Sequence, residues 1–308
     1  MYLLAEAFPI VRRMRVPVSR DQAVLLMAAF NEIMLGVDTY LAHSISGTIR
    51  AGEWVPILFG PAAGVLLLVA GLVALRRRTL ANLVGSFVFL TSRGGGFLAS
   101  YSPLPVGILP DAPAGQQLST LILLYAPPLL GPLTFALVAV LGISAAWQEE
   151  PVDSGRLRLV GRLRVNMPLP KTRALFMLGA LFILVTLISS VLDHARTNFA
   201  NPWLWLPTLV GAFATFVALA MGAYQRLERG DILTYVAAMI LLVVVGLVGA
   251  GLHVQRDLTG QGALLTERFI RGAPLLAPLL FANMGALGLI VLMDPQAGVR
   301  TDGNKPHP

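Results

Sequence analysis

The chain has 308 residues, of which 56% are apolar and only 13% are charged. A soluble domain carries about 25% charged residues, so this composition excludes an ordinary soluble enzyme and a disordered chain. It predicts a protein that crosses a membrane several times and contacts the lipid bilayer. The net charge of +7 does not indicate a nucleic-acid partner, because membrane proteins concentrate Lys and Arg in cytoplasmic loops.

The chain contains no cysteine. This excludes disulfides and every Cys-ligated cofactor, including iron–sulfur clusters and covalently attached haem. The first 20 residues hold four arginines and no clean apolar core, so no cleavable signal peptide is predicted. Arginine far outnumbers lysine, a composition that indicates a bacterium with a GC-rich genome.

The sequence predicts an all-α integral membrane protein with eight transmembrane helices. About 20 apolar residues are needed to cross roughly 30 Å of hydrocarbon. The predicted helices cover residues 22–43, 54–75, 79–101, 127–147, 173–194, 203–225, 232–253 and 273–293. The first contains Glu32 and Asp38, and the third contains Arg93, so two of the helices carry charge inside the membrane.

The basic residues set the predicted orientation. With the N-terminus inside, all but six of the 23 Lys and Arg residues fall in cytoplasmic segments. The six exceptions are Arg50, Arg93, Arg196, Arg256, Arg268 and Arg271. This asymmetry predicts a multi-pass protein of the cell membrane, with the N-terminus and the C-terminus both cytoplasmic.

The two halves of the chain share sequence patterns. His43 and Trp54 recur as His194 and Trp205 at an offset of 151 residues, and a proline follows two residues after each tryptophan. The tryptophans are predicted to mark the start of the second helix in each half. These matches favour an internal duplication.

A second block supports the duplication and defines its boundaries. Residues 128–142 and 274–288 align at an offset of 146 with nine identities in 15 positions. The chain is therefore predicted to contain two parallel four-helix repeats, related by an axis along the membrane normal. The predicted parts are a basic cytoplasmic segment (1–21), the first unit (22–147), a charged cytoplasmic linker (148–172), the second unit (173–293) and a cytoplasmic tail (294–308).

Some repeated residues have a structural interpretation. Pro274 fits the first turn of the last helix, and Pro278, four residues later, is expected to bend that helix or to free a backbone carbonyl. Gly60 and Gly64 are spaced for close packing between helices.

The first unit carries polar side chains at depths where the second is apolar. They are Asn31, Glu32, Asp38 and Tyr40 on the first helix, and Ser92 and Arg93 on the third. At 1.5 Å per residue, Asp38 and Arg93 lie about 24 and 21 Å along their helices. A charge in hydrocarbon costs several kcal/mol unless it is paired or hydrated, so an Arg93–Asp38 ion pair is predicted, with Glu32 deeper and protonated. The group is either a structural salt bridge or a functional pocket for protons, a quinone headgroup or a small solute.

The predicted outer face forms a second candidate site. His43, His194 and His253 fall at outer helix ends. The polar residues near them in sequence are Asp193, Arg196 and Arg256. Histidines at similar depth could ligate a metal or haem, but hydrogen-bonded histidines at the membrane interface are favoured because these positions are at helix edges. A docking surface for an extracytoplasmic subunit is the third interpretation.

Two functional classes follow from these patterns. The favoured class is a membrane-embedded subunit or anchor of a larger complex. One form of this hypothesis is a complex with a redox or quinone-linked function. The alternative is a transporter or permease for a small solute or ion, with its site at Glu32, Asp38 and Arg93. Only the first unit carries polar residues inside the membrane. This argues against transport, since transporters usually build the site from both repeats. Catalysis by the chain alone is disfavoured, because no nucleophile, base and orienting group converge at one depth.

Overall fold

The computed structural model is described residue by residue for most of the chain. The described residues are 3–13, 17–45, 49, 54–73, 80, 82–88, 90–91, 130–159, 163–196, 198–260, 265–271 and 274–295. Within them the chain is predominantly helical, in agreement with the all-α prediction.

The helices and strands form three consecutive parts of the chain. The first part contains α1 (Leu3–Ala7), a 3-10 turn (Pro9–Arg13), α2 (Arg20–Ile45), α3 (Trp54–Val73), a helical segment at 82–88 and α4 (Leu130–Ala146). The linker contains β1 (Gln148–Glu149), β2 (Arg156–Arg158) and β3 (Arg164–Asn166). The second part contains α5 (Lys171–Ala195), a 3-10 turn (Pro202–Leu204) and α6 (Trp205–Ala223). It ends with α7 (Arg229–Thr259), α8 (Leu265–Arg271) and α9 (Leu276–Val291).

Five helices of the described chain are long and apolar enough to cross a membrane, which indicates a membrane protein. They are Arg20–Leu41, Trp54–Val73, Lys171–Ala195, Pro202–Ala223 and Arg229–Thr259. Two of the other predicted spans correspond to shorter apolar helices, Thr134–Ala146 and Leu276–Val291. Most of the predicted span 79–101 lies outside the described residues. The prediction of eight spans is therefore confirmed for five helices.

Polar caps determine where some helices begin. Ser19 Oγ accepts a hydrogen bond from the Gln22 amide at 3.3 Å, so α2 begins at Arg20, two residues before the predicted start. At the start of α7, the Glu228 amide donates to Asp231 Oδ2 at 2.8 Å in a reciprocal capping box. Such caps satisfy backbone N–H groups that the first helical turn leaves unpaired.

The start of the last helix differs from the prediction. Pro274 lies before α9, which begins at Leu276, and Pro278 falls in the first helical turn. The first turn does not use the backbone N–H that proline lacks. Pro278 therefore removes no hydrogen bond of this helix, and the reason for the expected bend is absent. Trp54 and Trp205 do begin α3 and α6, as predicted.

Helix packing forms two groups that contact each other. In the first, α2 packs against α3 and α4. In the second, α5 packs against α6 and α9, while α7 packs against α6 and α9. Contacts of α2 with α9, and of α4 with α5, join the two groups.

Glycines allow several of these helices to approach closely. A Cβ atom at Gly60 would lie 3.0 Å from the Gly36 Cα atom, and one at Gly64 would lie 2.7 Å from the Ala29 carbonyl oxygen. A Cβ at Gly246 would lie 2.7 Å from the Pro278 carbonyl oxygen. The predicted role of Gly60 and Gly64 in close packing is confirmed.

Contacts between the first and second helices recur in both groups at the offset of 151 residues. Gln22 Nε2 donates to the Gly71 carbonyl at 2.8 Å, and Arg173 Nε donates to the Gly222 carbonyl at 2.9 Å. A Cβ at Gly71 would lie 3.2 Å from Leu26 Cγ, and a Cβ at Gly222 would lie 2.6 Å from the side chain of Met177. The α2–α3 and α5–α6 pairs therefore pack with the same residue register.

The linker strands form a small antiparallel sheet in the order β1-β2-β3. Leu157 is its buried apolar residue, and the arginines on either side of it are exposed. The sheet lies where α2 and α5 begin, because Lys171 Nζ donates to the Trp147 carbonyl at 2.6 Å. We call this end of the helices the linker end, and the opposite end, with His43, His194 and His253, the histidine end.

Candidate functional site

The intramembrane residues predicted from the sequence have different environments. Asn31 and Glu32 are buried, whereas Asp38 and Tyr40 are exposed toward the histidine end of α2. Ser92 and Arg93 lie outside the described residues. The Arg93–Asp38 pair therefore stays a prediction, and the buried part of the site consists of Asn31 and Glu32.

An asparagine of the last helix completes this buried group. Asn283 of α9 donates a side-chain hydrogen bond from Nδ2 to Asn31 Oδ1. Asn31 Nδ2 and Asn283 Oδ1 are also buried and have no hydrogen-bond partner among the described residues. The two amides thus link the two helix groups and leave one amide nitrogen and one amide oxygen without a partner in the described part of the chain.

Glu32 is the most isolated polar residue of the group. Its exposed fraction is 0%, and neither carboxyl oxygen has a hydrogen-bond partner within the described part of the chain. An ionised carboxylate in such a place costs several kcal/mol unless it is paired or hydrated. The position therefore calls for a proton, a cation or a hydrogen-bonding ligand.

The close packing of α2 and α3 places Glu32 in the interior. A Cβ at Gly60 would lie only 2.8 Å from the Glu32 carbonyl oxygen. The absence of a side chain at Gly60 lets the two helix backbones approach at the level of Glu32. We call Asn31, Glu32 and Asn283 the buried polar cluster.

Asn283 was missed in the sequence prediction. The signal was present, because Asn283 is an amide in the otherwise apolar α9. At the repeat offset of 146 residues its equivalent is Leu137, which is buried in the apolar core. A polar residue at only one of two equivalent core positions indicates another polar group close to it, because a buried amide requires hydrogen-bond partners.

At the histidine end, several predicted residues do come together. Asp193 lies within electrostatic range of His194, Arg196 and His253, and Asp38 lies within range of Asp193. Arg196 Nη1 lies 3.8 Å from Asp193 Oδ1, and both side chains are exposed. An exposed pair of this kind contributes little stability, so these charges are available to water or to a partner. Arg256 is exposed nearby in sequence on α7.

The histidines of this end make local contacts. His43 Nδ1 is 2.8 Å from the Thr39 carbonyl oxygen, and His253 Nδ1 is 2.9 Å from the Pro274 carbonyl oxygen. The His194 ring contacts Phe199, which stacks on Trp205 at a centroid distance of 4.4 Å. Within the described residues, no group of three or more His, Asp or Glu side chains is arranged to hold a metal ion.

Four polar residues connect α2 and α5 at the linker end. Arg20 Nη1 donates to Thr172 Oγ1 at 2.6 Å, and Lys171 Nζ donates to Asp21 Oδ2 at 2.7 Å. Arg20 Nε also lies 3.3 Å from Asp21 Oδ1. Arg20 and Lys171 are only 1% and 3% exposed. We call Arg20, Asp21, Lys171 and Thr172 the linker-end network.

Glu149 fixes the linker against this network. Its Oε1 accepts hydrogen bonds from the Lys171 amide at 2.9 Å and the Gly155 amide at 2.7 Å, and Oε2 accepts one from the Asp153 amide at 3.0 Å. Pro170 at the N-cap of α5 makes no side-chain cap. Glu149 therefore caps α5 from 22 residues earlier in the chain.

Comparison of the chain with protein-family models, characterised proteins and solved structures finds no match. The chemistry of the buried polar residues is therefore the basis for proposing a function.

Proposed function

We propose that the protein is a membrane transporter for a small polar solute or ion, and that the buried polar cluster is its binding site. The observation that carries this proposal is the Asn31–Asn283 hydrogen bond beside a Glu32 without a partner in the described chain. Buried ionisable residues of membrane helices generally mark substrate or proton pathways. Glu32 carries a proton in the empty site. A cationic solute displaces this proton to the water on the open side, whereas a neutral solute accepts a hydrogen bond from the protonated carboxyl.

The contribution of α9 supports transport over the interpretation that the sequence favoured. The sequence argument against transport was that only the first unit is polar. Asn283 belongs to the proposed second unit, so the cluster is built from both units, as expected when units move relative to each other around a central site.

The proposal includes two parallel four-helix units, covering 22–147 and 173–293, with the linker end and both termini in the cytoplasm of the cell. The recurrence of the Gln22–Gly71 hydrogen bond as Arg173–Gly222 supports the duplication. The concentration of most Lys and Arg residues in the sequence segments assigned to the cytoplasm supports the orientation.

Proton movement tests the role of Glu32. Purified protein in liposomes that contain a pH-sensitive dye should couple proton flux to an imposed gradient of one solute from a panel of amino acids, organic acids, sugars and inorganic cations. Glu32→Gln removes the titratable group at nearly constant volume and should lower this flux at least about tenfold, since it removes the only proton carrier of the cluster. Glu150→Gln, which makes the same change at an exposed carboxyl outside the membrane helices, is the matched control. Equal flux in wild type and Glu32→Gln would contradict the proposal.

A membrane subunit of a larger complex is the second candidate. The exposed Asp193–Arg196 pair and the exposed Arg256 at the histidine end favour it, because they leave charge available for docking. A fixed-ratio partner after gentle native purification, or a haem band in a reduced-minus-oxidised visible spectrum, would establish this role. A colourless protein that purifies alone would favour transport.

A further inference from the structure

The two membrane groups are interlocked at the linker end by crossed interactions. The offset of 151 residues relates Arg20 to Lys171 and Asp21 to Thr172. Arg20 bonds to Thr172, and Lys171 bonds to Asp21, so each first residue contacts the second residue of the equivalent helix. This reciprocal pairing is the pattern that a two-fold axis between α2 and α5 produces.

One stripe of each helix leads from this network into the membrane. On α2, Arg20, Val24, Ala28 and Asn31 follow one another at helical spacing and are all buried. Asn31 is 11 residues from Arg20, which places it about 16 Å farther along the helix. The network therefore lies between the buried polar cluster and the water at the linker end.

The equivalent stripe of α5 borders space that no described residue fills. Its residues are Lys171, Leu175, Gly179 and Phe182, which are all buried. A Cβ atom at Gly179, the equivalent of Ala28, would meet no atom of the described residues within 4 Å. Packed protein interiors rarely leave such room, so the space beside Gly179 is a candidate segment of a path between the network and the cluster.

We propose that the linker-end network is a gate, which closes the path from the buried polar cluster to the linker-end water and opens when the two units separate there. This inference rests on the transport function proposed above. In the closed state, Lys171–Asp21 and Arg20–Thr172 bonds hold the ends of α2 and α5 together. Opening exchanges these few bonds for bonds to water, which polar groups at a helix end can do at small cost. If the contact between the units were apolar, its opening would expose apolar side chains to water at a larger cost.

Cysteine labelling tests the gate directly, because the chain has no cysteine of its own. Gly179→Cys places a thiol in the unfilled space beside the path. In the full-length protein in liposomes, a membrane-impermeant maleimide added at the linker-end side should react with it slowly. Asp21→Asn in the same chain removes the charge that holds Lys171 and should raise the labelling rate about tenfold, the effect of losing one charged hydrogen bond. An unchanged rate would overturn the gate.

Three further variants separate gating from general loosening. Glu150→Gln removes a carboxylate from the exposed Arg158–Glu150 pair and should leave the labelling rate unchanged. Thr172→Val removes the bond from Arg20 and the 3.1 Å bond that Thr172 Oγ1 donates to Asp153 Oδ1. It leaves the Lys171–Asp21 pair intact and should raise the rate by a smaller factor. Exchange of charges, Asp21→Lys with Lys171→Asp, should restore slow labelling.

Labelling of a cysteine at a second buried position distinguishes unfolding from opening of the gate. Ala238 on α7 is fully buried and lies outside the proposed path, so Ala238→Cys serves as the second labelling site. If Asp21→Asn or Thr172→Val raises labelling at both cysteines equally, the network is structural and the gate is overturned. If labelling rises only at Gly179→Cys, the gate is supported whatever the Glu32→Gln flux shows. Failure of the transport proposal is thus distinguishable from failure of the gate.

Discussion

Glu149 joins the linker to the membrane helices through three backbone amides. Its carboxylate accepts from Lys171, Gly155 and Asp153 and sits at the N-terminus of α5, where the helix dipole favours negative charge. We predict that Glu149→Ala lowers the free energy of unfolding by about 3 kcal/mol, because it leaves buried N–H groups without an acceptor. Unfolding in SDS titrations measures the change. Glu150→Ala, which breaks only an exposed pair with Arg158, should cost less than about 1 kcal/mol, and similar losses for both would refute the capping role.

At the scale of residues, burial could be predicted from the sequence but contacts between distant residues could not. The burial of Glu32 was predictable, because it lies deep in an apolar helix. Lys171 was interpreted as a basic residue of the cytoplasmic linker, whereas it is buried and paired with Asp21. That partner is 150 residues away, and no local pattern gives contacts of such separation. Only the repeat offset, which aligns Arg20 with Lys171, could have suggested that these helix starts meet.

At the scale of helices, glycines set the distance between α7 and α9. A Cβ at Gly246 would lie 2.7 Å from the Pro278 carbonyl oxygen and 2.8 Å from Ala282 Cβ. We predict that Gly246→Ala lowers the free energy of unfolding by about 1–3 kcal/mol, because the helices must move apart. A Cβ at Gly251 on the same helix would meet no atom of the described residues within 4 Å, so Gly251→Ala should be neutral or slightly stabilising. The midpoints of thermal unfolding of the two variants are compared. Equal midpoints would show that the contact of Gly246 with α9 does not limit helix packing.

The helix limits show what hydropathy predicts and what it leaves out. Apolar length located α3, α5, α6 and α7 well, because lipid imposes a minimum length on spanning helices. The helix starts differed where polar caps act, as at Ser19 for α2 and at Glu228 for α7. A hydropathy window does not register a single capping bond, and a cap supplied by Glu149 from another segment leaves no local signal at α5.

At the scale of the molecule, the proposed orientation connects the gate, the site and the two membrane faces. We predict that Asn166 of β3 and Ala200, near the histidine end, lie on opposite sides of the membrane. Both residues are exposed. In the cysteine-free chain, Ala200→Cys should react with an impermeant maleimide on intact cells. Asn166→Cys should react only after the membrane is permeabilised, because basic segments are retained in the cytoplasm. The opposite pattern would place the linker-end network on the outer face, and the gate would then close the outward path. Labelling of both cysteines on intact cells would contradict the spanning arrangement of α5.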